Sequence, residues 1–402
     1  MKTSLNLDEF YKIIGETVPV KRRIINSLYF NKPVCPTDIK ILNDTYDRLS
    51  KIPETDKKKL INIGSKTIPT DLGYETEELK RDLLFLEKGE SFIISYLGKL
   101  YDNFDIQVKK GLEFLGDSKP DIFITDRDGT INNYCGRYLS SVQSIYNSWF
   151  ISRFASIVAN NIILTSAPLD NGGITDININ PDGLFHYAGS KGREYLDKRG
   201  QRHSFAIPPE KQDMLDALNK RLKYLLEQKE FEIFSHIGSG LQFKFGQTTI
   251  ARQDINLSIP PSDSEHWLET VQKTVNEIDP ESSFLKIEDT GKDIEIILTV
   301  DSESNVIKDY DKGDGIRYLD KELNLDLKHK HTLVCGDTFS DLPMIKAAFE
   351  KNSSTKAIFV TEDNSLVQAL SDITSNSFTV KSPDILITIL FNFSKGLQIC
   401  TS

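Results

Sequence analysis

Ile122-Phe123-Ile124-Thr125-Asp126-Arg127-Asp128-Gly129-Thr130 is the stretch from which the rest of the chain can be read. Four β-branched or aromatic residues run without alternation and stop at two acids and a glycine. An unbroken run of that length suits a strand covered on both faces, as inside a parallel sheet. Outward from it, Ile162-Ile163-Leu164 and Thr332-Leu333-Val334-Cys335 repeat the pattern. They end in Thr165-Ser166 and in Gly336-Asp337-Thr338-Phe339-Ser340-Asp341. Ile358-Phe359-Val360 and Phe378-Thr379-Val380 are shorter strands of the same kind. Helical stretches separate them, so the expected fold class is α/β, with a doubly wound Rossmann-like parallel-sheet core.

Two further regions flank or interrupt that core. From Leu7 to Ser118 apolar residues recur at three- and four-residue spacings, as in Phe10, Ile13, Ile14 and Ile24, Ile25, Leu28, which predicts helix throughout. Residues 1–118 are therefore read as an N-terminal helical bundle, cut into pieces at Pro36-Thr37-Asp38 and Pro69-Thr70-Asp71. Between the second and third core strands, Lys211 to Glu230 reads as helix. Leu241–Phe245 and Thr248–Ala251 read as a hairpin around Gly246-Gln247, Trp267 to Ile278 as helix, and Phe284 to Val300 as two strands. This αββαββ unit, residues 208–305, is an inserted α/β cap that splits the core into 119–207 and 306–402. The crossings fall near Ile207-Pro208-Pro209 and between Ser304 and Tyr310.

Composition narrows the class of function. The 402 residues carry 49 basic and 59 acidic side chains, a net charge of −10, and no broad basic face that would suit nucleic acid. Cys35, Cys135, Cys335 and Cys400 are too scattered for a zinc site or disulfide framework, which points to a reducing, cytoplasmic setting. The first residues lack the apolar core of a secretory signal, and Ile385 to Phe391 is far too short for a membrane span. No His, Cys or carboxylate cluster converges in the N-terminal helices, which leaves them as support, as a face for a protein partner, or as a means of self-association.

The chemistry sits at the strand ends, where a doubly wound sheet opens to its ligand. Asp-x-Asp-Gly alone is as well explained by a turn, because Asp and Gly favour turns for local reasons. Three polar endings after three apolar strands, in order, are a different matter. Together they suit phosphoryl transfer, which needs a placed nucleophile and charge neutralisation. Asp126 can attack phosphorus, and Asp128, two residues on, can protonate the leaving alkoxide and then activate water. Thr165 offers a hydroxyl and an amide to a phosphate oxygen. Two carboxylates facing a phosphate dianion require a cation, and Mg²⁺ suits Asp126, the Asp128 carbonyl and Asp337. Lys312, in Asp311-Lys312-Gly313-Asp314-Gly315, completes the neutralisation. With an acidic chain overall, attraction of the anion must be local, from Lys312, Arg127, Lys191 and Arg193.

These four pieces resemble the haloacid dehalogenase superfamily. Too few residues lie between Asp128 and Thr165 to hold a cap, whereas the stretch from Thr165 to Lys312 leaves ample room, which resembles the late-inserted cap of sugar phosphatases. Phe123–Thr130 with Tyr134-Cys135, Leu164–Leu169, Gly189–Glu194, Gly238–Gln242 and Cys335–Met344 are similar to the nematode-type branch of the trehalose-6-phosphate phosphatases. The resemblance implies Mg²⁺-dependent release of phosphate from trehalose 6-phosphate, with Asp126 as nucleophile and Asp128 as acid/base. It further implies Thr165 and Lys312 as phosphate ligands, and a metal set of Asp126, Asp128, Asp337 and Asp341, the last holding a metal-bound water or orienting Lys312. Sugar hydroxyls call for polar side chains fixed on the cap or facing it, and Arg193, Glu194, Gln242, Lys244 and Glu295 are the candidates. Gln242 and Lys244 could equally be the solvent face of a hairpin. The chain departs from the pattern at Thr165-Ser166-Ala167, where related phosphatases often have Ser-Gly-Arg, and at Arg127, bulky and charged at the expected entrance. Two other functions share these features: a phosphatase for another glycosyl phosphate such as glucosylglycerol phosphate, and a non-catalytic scaffold.

Overall fold

The computed structural model describes residues 5–55, 58–63, 66–170, 172–254, 257–301, 307–308 and 310–400. At its centre lies an eight-stranded sheet in the spatial order Ser377–Val380, Lys356–Val360, Thr332–Gly336, Ile122–Thr125, Asn160–Leu164, His186–Gly189, Glu194–Leu196, Arg202–Ser204. The first six strands are parallel, Glu194–Leu196 runs against them, and Arg202–Ser204 turns back antiparallel to it. Neither the sixth parallel strand, His186–Gly189, nor the antiparallel edge was anticipated: Glu194–Leu196 and Arg202–Ser204 are three residues each, too short for a periodic signal.

Alternation of side chains across the pleat divides the sheet between two cores. Phe123, Ile163, Leu333 and Ile358 point to one, where helices Ile145–Ala155 and Pro383–Cys400 contribute Phe150, Phe154, Leu386 and Leu390. Ile122, Ile124, Ile162, Val334 and Phe359 point to the other, against helices Lys312–Glu322, Leu342–Lys351 and Asn364–Ile373. Helices on both faces make the sheet doubly wound, and its three central strands end together on one side.

The N-terminal helices Leu7–Tyr29, Pro36–Ser50, Gly73–Lys88, Glu90–Gly98 and Phe104–Leu115 pack onto the first of these layers. Phe10, Ile25, Leu97 and Leu115 belong to the same apolar cluster as Phe150 and Phe391, so bundle and sheet share one core. The expectation of helix throughout this region fails between residues 54 and 70. Glu54–Thr55, Lys58–Ile63 and Lys66–Thr70 are strands of a small sheet. Ile61 and Ile63, then Thr67 and Thr70, supply β-branched residues that suit strands better than helix.

A buried polar seam fixes the bundle in place. Asp384 is fully buried and accepts hydrogen bonds from Arg81 of the bundle at 3.1 Å, Tyr101 at 2.5 Å and Tyr146 at 2.8 Å. Arg81 also pairs with Glu78 at 2.9 Å, and Lys21 with Asp82 at 2.8 Å.

In the cap, helices Pro209–Leu226 and Pro261–Ile278 cover one face of a sheet ordered Leu241–Lys244, Gln247–Ala251, Asp293–Leu298, Leu285–Asp289. Ile250, Ile294 and Ile296 point to the helices, where Leu218, Trp267 and Val271 meet them. The other face is polar, and the register puts Gln242 beside Thr249 and Thr249 beside Glu295. The chain leaves the core through Ile207-Pro208-Pro209. On its return Val300–Asp301 pairs with Ile307–Lys308, while Ser304 to Val306 and Asp309 of the expected crossing lie outside the described residues.

Two outcomes follow from the buried polar groups. Asp384→Ala leaves Arg81 with Glu78 as its remaining carboxylate and strips Tyr101 and Tyr146 of their buried acceptor, and should lower stability by about 3–5 kcal/mol, read from the denaturant midpoint. His186, in the sixth parallel strand, has an Nδ1 without a hydrogen-bond partner, and burial, with Lys198 adding to it, pushes its pKa down from 6.5 to about 4. The unfolded chain then binds the extra proton between those values, so the stability present above 6.5 is lost as pH falls toward 4. His186→Gln should flatten that acid loss in denaturation series over the same window.

Candidate active site

Asp126 follows the last residue of the Ile122–Thr125 strand, and its amide donates to the Cys335 carbonyl of the neighbouring strand at 3.0 Å. That bond continues the ladder one residue past the strand and holds Asp126 at the sheet edge. The chain then turns at Gly129, whose φ of +89° is a left-handed value that L side chains rarely adopt. Thr130 returns its hydroxyl to Asp337 Oδ1 at 2.7 Å and to Asp126 Oδ2 at 3.4 Å. Lys312 opens the helix Lys312–Glu322, capped by the Asp311 side chain on the Asp314 amide. Its ammonium, buried, donates to Asp126 Oδ1 at 2.5 Å and Asp341 Oδ1 at 2.6 Å. Burial opposes that charge, yet Asp126 and Asp341 outweigh it and hold Lys312 above the ordinary lysine value.

Both oxygens of Asp341 are engaged. Oδ1 takes Lys312, and Oδ2 takes the amides of Asp337 and Thr338, each at 3.0 Å, and the Thr338 hydroxyl. Asp341 therefore orients Lys312 and shapes the turn that carries Asp337. Carboxylate oxygens of Asp126, Asp337 and Asp341 lie within 4.8 Å of one another. Burial and the charges of Asp126 and Asp341 push Asp337 up to about 9. Burial, opposed by Lys312 and helped by Asp341, pushes Asp126 up to about 6. Three carboxylates against one ammonium leave the cluster short of positive charge, and its hard oxygen donors fit a divalent cation. Asp126, Asp337 and Asp341 are the side chains near enough to one another to hold it.

A cavity of about 250 Å³ opens above this cluster, beneath the polar face of the cap sheet. Asp126, Asp128, Thr165, Lys312 and Asp337 line its floor, and Gln242, Lys244 and Glu295 its roof. For Lys244 the alternative of a solvent-facing position is excluded, since it is buried and sits 3.9 Å from Glu295; Gln242 is half-buried on the same wall. Burial lowers the Lys244 pKa, whereas Lys244 and Lys191 overcome burial to hold Glu295 below the usual carboxylate range.

Several expected positions are corrected by the geometry. The Thr165 amide is not available to a ligand, because it donates to the Ala188 carbonyl at 2.9 Å in the sheet ladder; Thr165 lines the cavity, and its hydroxyl accepts from the Ala167 amide at 3.2 Å. Arg127 is not at the entrance. Its guanidinium is buried, bonded to Asp128 and, at 3.0 Å, to the Ser141 hydroxyl, which also donates to Asp128 at 2.7 Å. Arg193 and Glu194 do not line the cavity. Arg193 donates to the carbonyls of Gly246 and, at 2.8 Å, Leu298, and lies over the Tyr310 ring, tying the core loop to the cap. Glu194 accepts from the Leu169 amide, Ser190 and Arg202. Tyr134, Tyr138, Ser239, Thr249 and Asp293 line the cavity and were not foreseen. Asp293 stands two residues before Glu295 on one strand, so the period of two already put both on one face.

The fold and site are those of an α/β core with acids at its central strand ends beneath an inserted cap. A family model described as "Trehalose-6-phosphate phosphatase, C-terminal" matches residues 123–386, and one for the "N-terminal helical bundle domain" of that phosphatase matches residues 6–104. The chain belongs to the trehalose-6-phosphate phosphatase family. A trehalose-phosphatase of Caenorhabditis briggsae is 30% identical, over 95% of this chain and 95% of that protein. An alpha,alpha-trehalose-phosphate synthase [UDP-forming] 2 of Caenorhabditis elegans is also 30% identical over 95% of this chain, which spans 33% of that longer relative. A crystal structure of a trehalose-6-phosphate phosphatase related protein shares 16% identity over 70% of this chain and 100% of its own, at a TM-score of 0.46.

Gly129 gives a direct handle on the cluster. A Cβ there would fall 2.2 Å from Asp337 Oδ2 and 2.8 Å from its Cγ, on a backbone already at positive φ. Gly129→Ala should displace Asp337 and weaken divalent-cation binding about 10–100-fold in titration calorimetry, while the far-ultraviolet circular dichroism stays that of the parent.

Proposed function

We propose that the protein hydrolyses trehalose 6-phosphate to trehalose and phosphate, with Mg²⁺, through a phosphoryl group carried on Asp126. The observation that carries the reading is Asp126 itself, pinned by Lys312 at the end of a central strand beneath a polar cap face. The family to which the chain belongs supplies the substrate class.

Lys312 and Thr130 fix the rotation of the Asp126 carboxylate, so that it meets the phosphate without searching. An Asp126 oxygen bonds to phosphorus as the ester oxygen departs. Asp128 delivers a proton to that oxygen, and the sugar leaves as a neutral alcohol. Water then attacks phosphorus, gives its proton to Asp128, and breaks the bond to Asp126, releasing orthophosphate. A Mg²⁺ ion on Asp126 and Asp337 would offset charge on the phosphate oxygens. The Thr165 hydroxyl and the Lys312 ammonium are the chain's own contacts to those oxygens. Gln242, Lys244 and Glu295 are placed to read the sugar hydroxyls above.

Phosphate release measured across a panel of sugar phosphates tests this reading. Trehalose 6-phosphate should be the preferred substrate. Turnover should fall at least ~10³-fold in Asp126→Asn, and should be lost on chelation and restored by Mg²⁺. Preference for glucosylglycerol phosphate or another ester would replace the substrate, and absence of turnover on every ester would favour a scaffold.

A further inference from the structure

The 250 Å³ cavity is small beside the ~300–1,000 Å³ of most ligand pockets. It opens into a second cleft of about 1010 Å³ between the N-terminal bundle and the cap, and the two share Tyr134, Cys135, Gly136 and Gly238. A leaving group larger than one sugar ring has that junction to extend across.

Two groups stand out beside the junction: Tyr134, which lines both clefts, and Asp293 of the inner cavity, bonded to Ser239 next to Gly238. Tyr134 exposes 62% of its surface, although it belongs to the loop that follows the two catalytic-type acids. An exposed aromatic ring beside a reaction cavity is an apolar platform with a polar tip. Asp293 lines the same cavity from the cap, on the strand that also carries Glu295. Its Oδ2 accepts from the Ser239 hydroxyl at 3.1 Å, but Oδ1 is buried without a hydrogen-bond partner. A buried acceptor left unpaired is costly, and a ligand donor would satisfy it. The Asp293 charge is also, after burial, the foremost influence holding the Tyr134 phenol above its ordinary value, so the two act on each other across the opening.

We propose that Tyr134 and Asp293 form the subsite for the part of the leaving sugar beyond the phosphorylated ring, and so set the preference for a disaccharide phosphate over a monosaccharide phosphate. This rests on the phosphatase reading above. Tyr134 stacks on the apolar face of the outer pyranose, and Asp293 Oδ1 accepts one of its hydroxyls. A monosaccharide phosphate fills the inner cavity and leaves both groups without a partner. Sites built to bond a hydroxyl reject analogues that lack it far more strongly than apolar pockets reject a missing methylene.

The test compares kcat/KM for trehalose 6-phosphate and glucose 6-phosphate in the full-length protein and in Tyr134→Ala, Tyr134→Phe and Asp293→Asn. Tyr134→Ala and Asp293→Asn should each lower the disaccharide-to-monosaccharide ratio at least ~tenfold, mainly through KM for the disaccharide. Tyr134→Phe, which keeps the platform, should retain most of the preference. An unchanged ratio in both Tyr134→Ala and Asp293→Asn, or a loss shared equally by the two substrates, overturns the subsite and leaves the phosphatase reading intact. A parent protein that hydrolyses neither ester, or shows no preference, overturns the reading on which the subsite rests.

Discussion

Lys312 sits between Asp126 and Asp341 at 2.5 and 2.6 Å, all three buried, and the site is organised around that contact. An ammonium taken out of water must be matched by charge, and these carboxylates match it. In return each is fixed by partners from other parts of the chain: Asp126 by its strand and Thr130, Asp341 by the amides of Asp337 and Thr338. The pair thus joins the Ile122–Thr125 strand, the turn after Thr332–Gly336 and the helix that begins after the cap. Segments far apart in sequence reach one point because the charges there cannot be left apart. Asp337 tips the balance toward excess negative charge, which is why the site calls for a further cation rather than closing on itself.

The cap answers a different constraint. Its sheet is apolar toward its own helices and polar toward the core, a face that water could equally cover, so holding it over Asp126 takes a specific partner. The core supplies that partner with the loop around residues 189–194. Ser190 accepts the Phe245 amide at 2.8 Å, Lys191 lies 3.5 Å from Glu295, and Arg193 holds the Gly246 and Leu298 carbonyls. These contacts reach the cavity wall at Glu295, and they set the roof above Asp126. No helix among the described residues is long and apolar enough to cross a membrane.

Much of this was legible beforehand, for identifiable reasons. The five core strands and the αββαββ cap announce themselves through unbroken or alternating apolar runs, and Asp126, Asp128, Lys312 and Asp337 stand at motif positions whose backbone is dictated by strand ends and a glycine turn. The floor and roof of the cavity could be named because period two forces Gln242 and Lys244 onto one face. What was hidden depends on tertiary pairing. Arg193 looks like a ligand residue in sequence, and only the approach of the Gly246 turn turns it into a strut. The Thr165 amide is taken by a neighbouring strand, Glu194–Leu196 and Arg202–Ser204 are too short to show a pattern, and the small sheet around Lys58–Ile63 overrides the helical spacing on either side. Asp293 could have been found from its position two residues before Glu295; Tyr134 could not, since nothing local distinguishes an exposed ring from a buried one.

The central claim is that the Asp126 carboxylate, held by Lys312, receives the phosphoryl group. Rapid acid quench during turnover of trehalose 6-phosphate with Mg²⁺, followed by peptide mass spectrometry, tests it most directly. The account predicts a hydroxylamine-labile phosphoryl group on the peptide containing Asp126 and on that residue. Turnover with no modified peptide at any quench time, or with the phosphoryl group on another side chain, would contradict it.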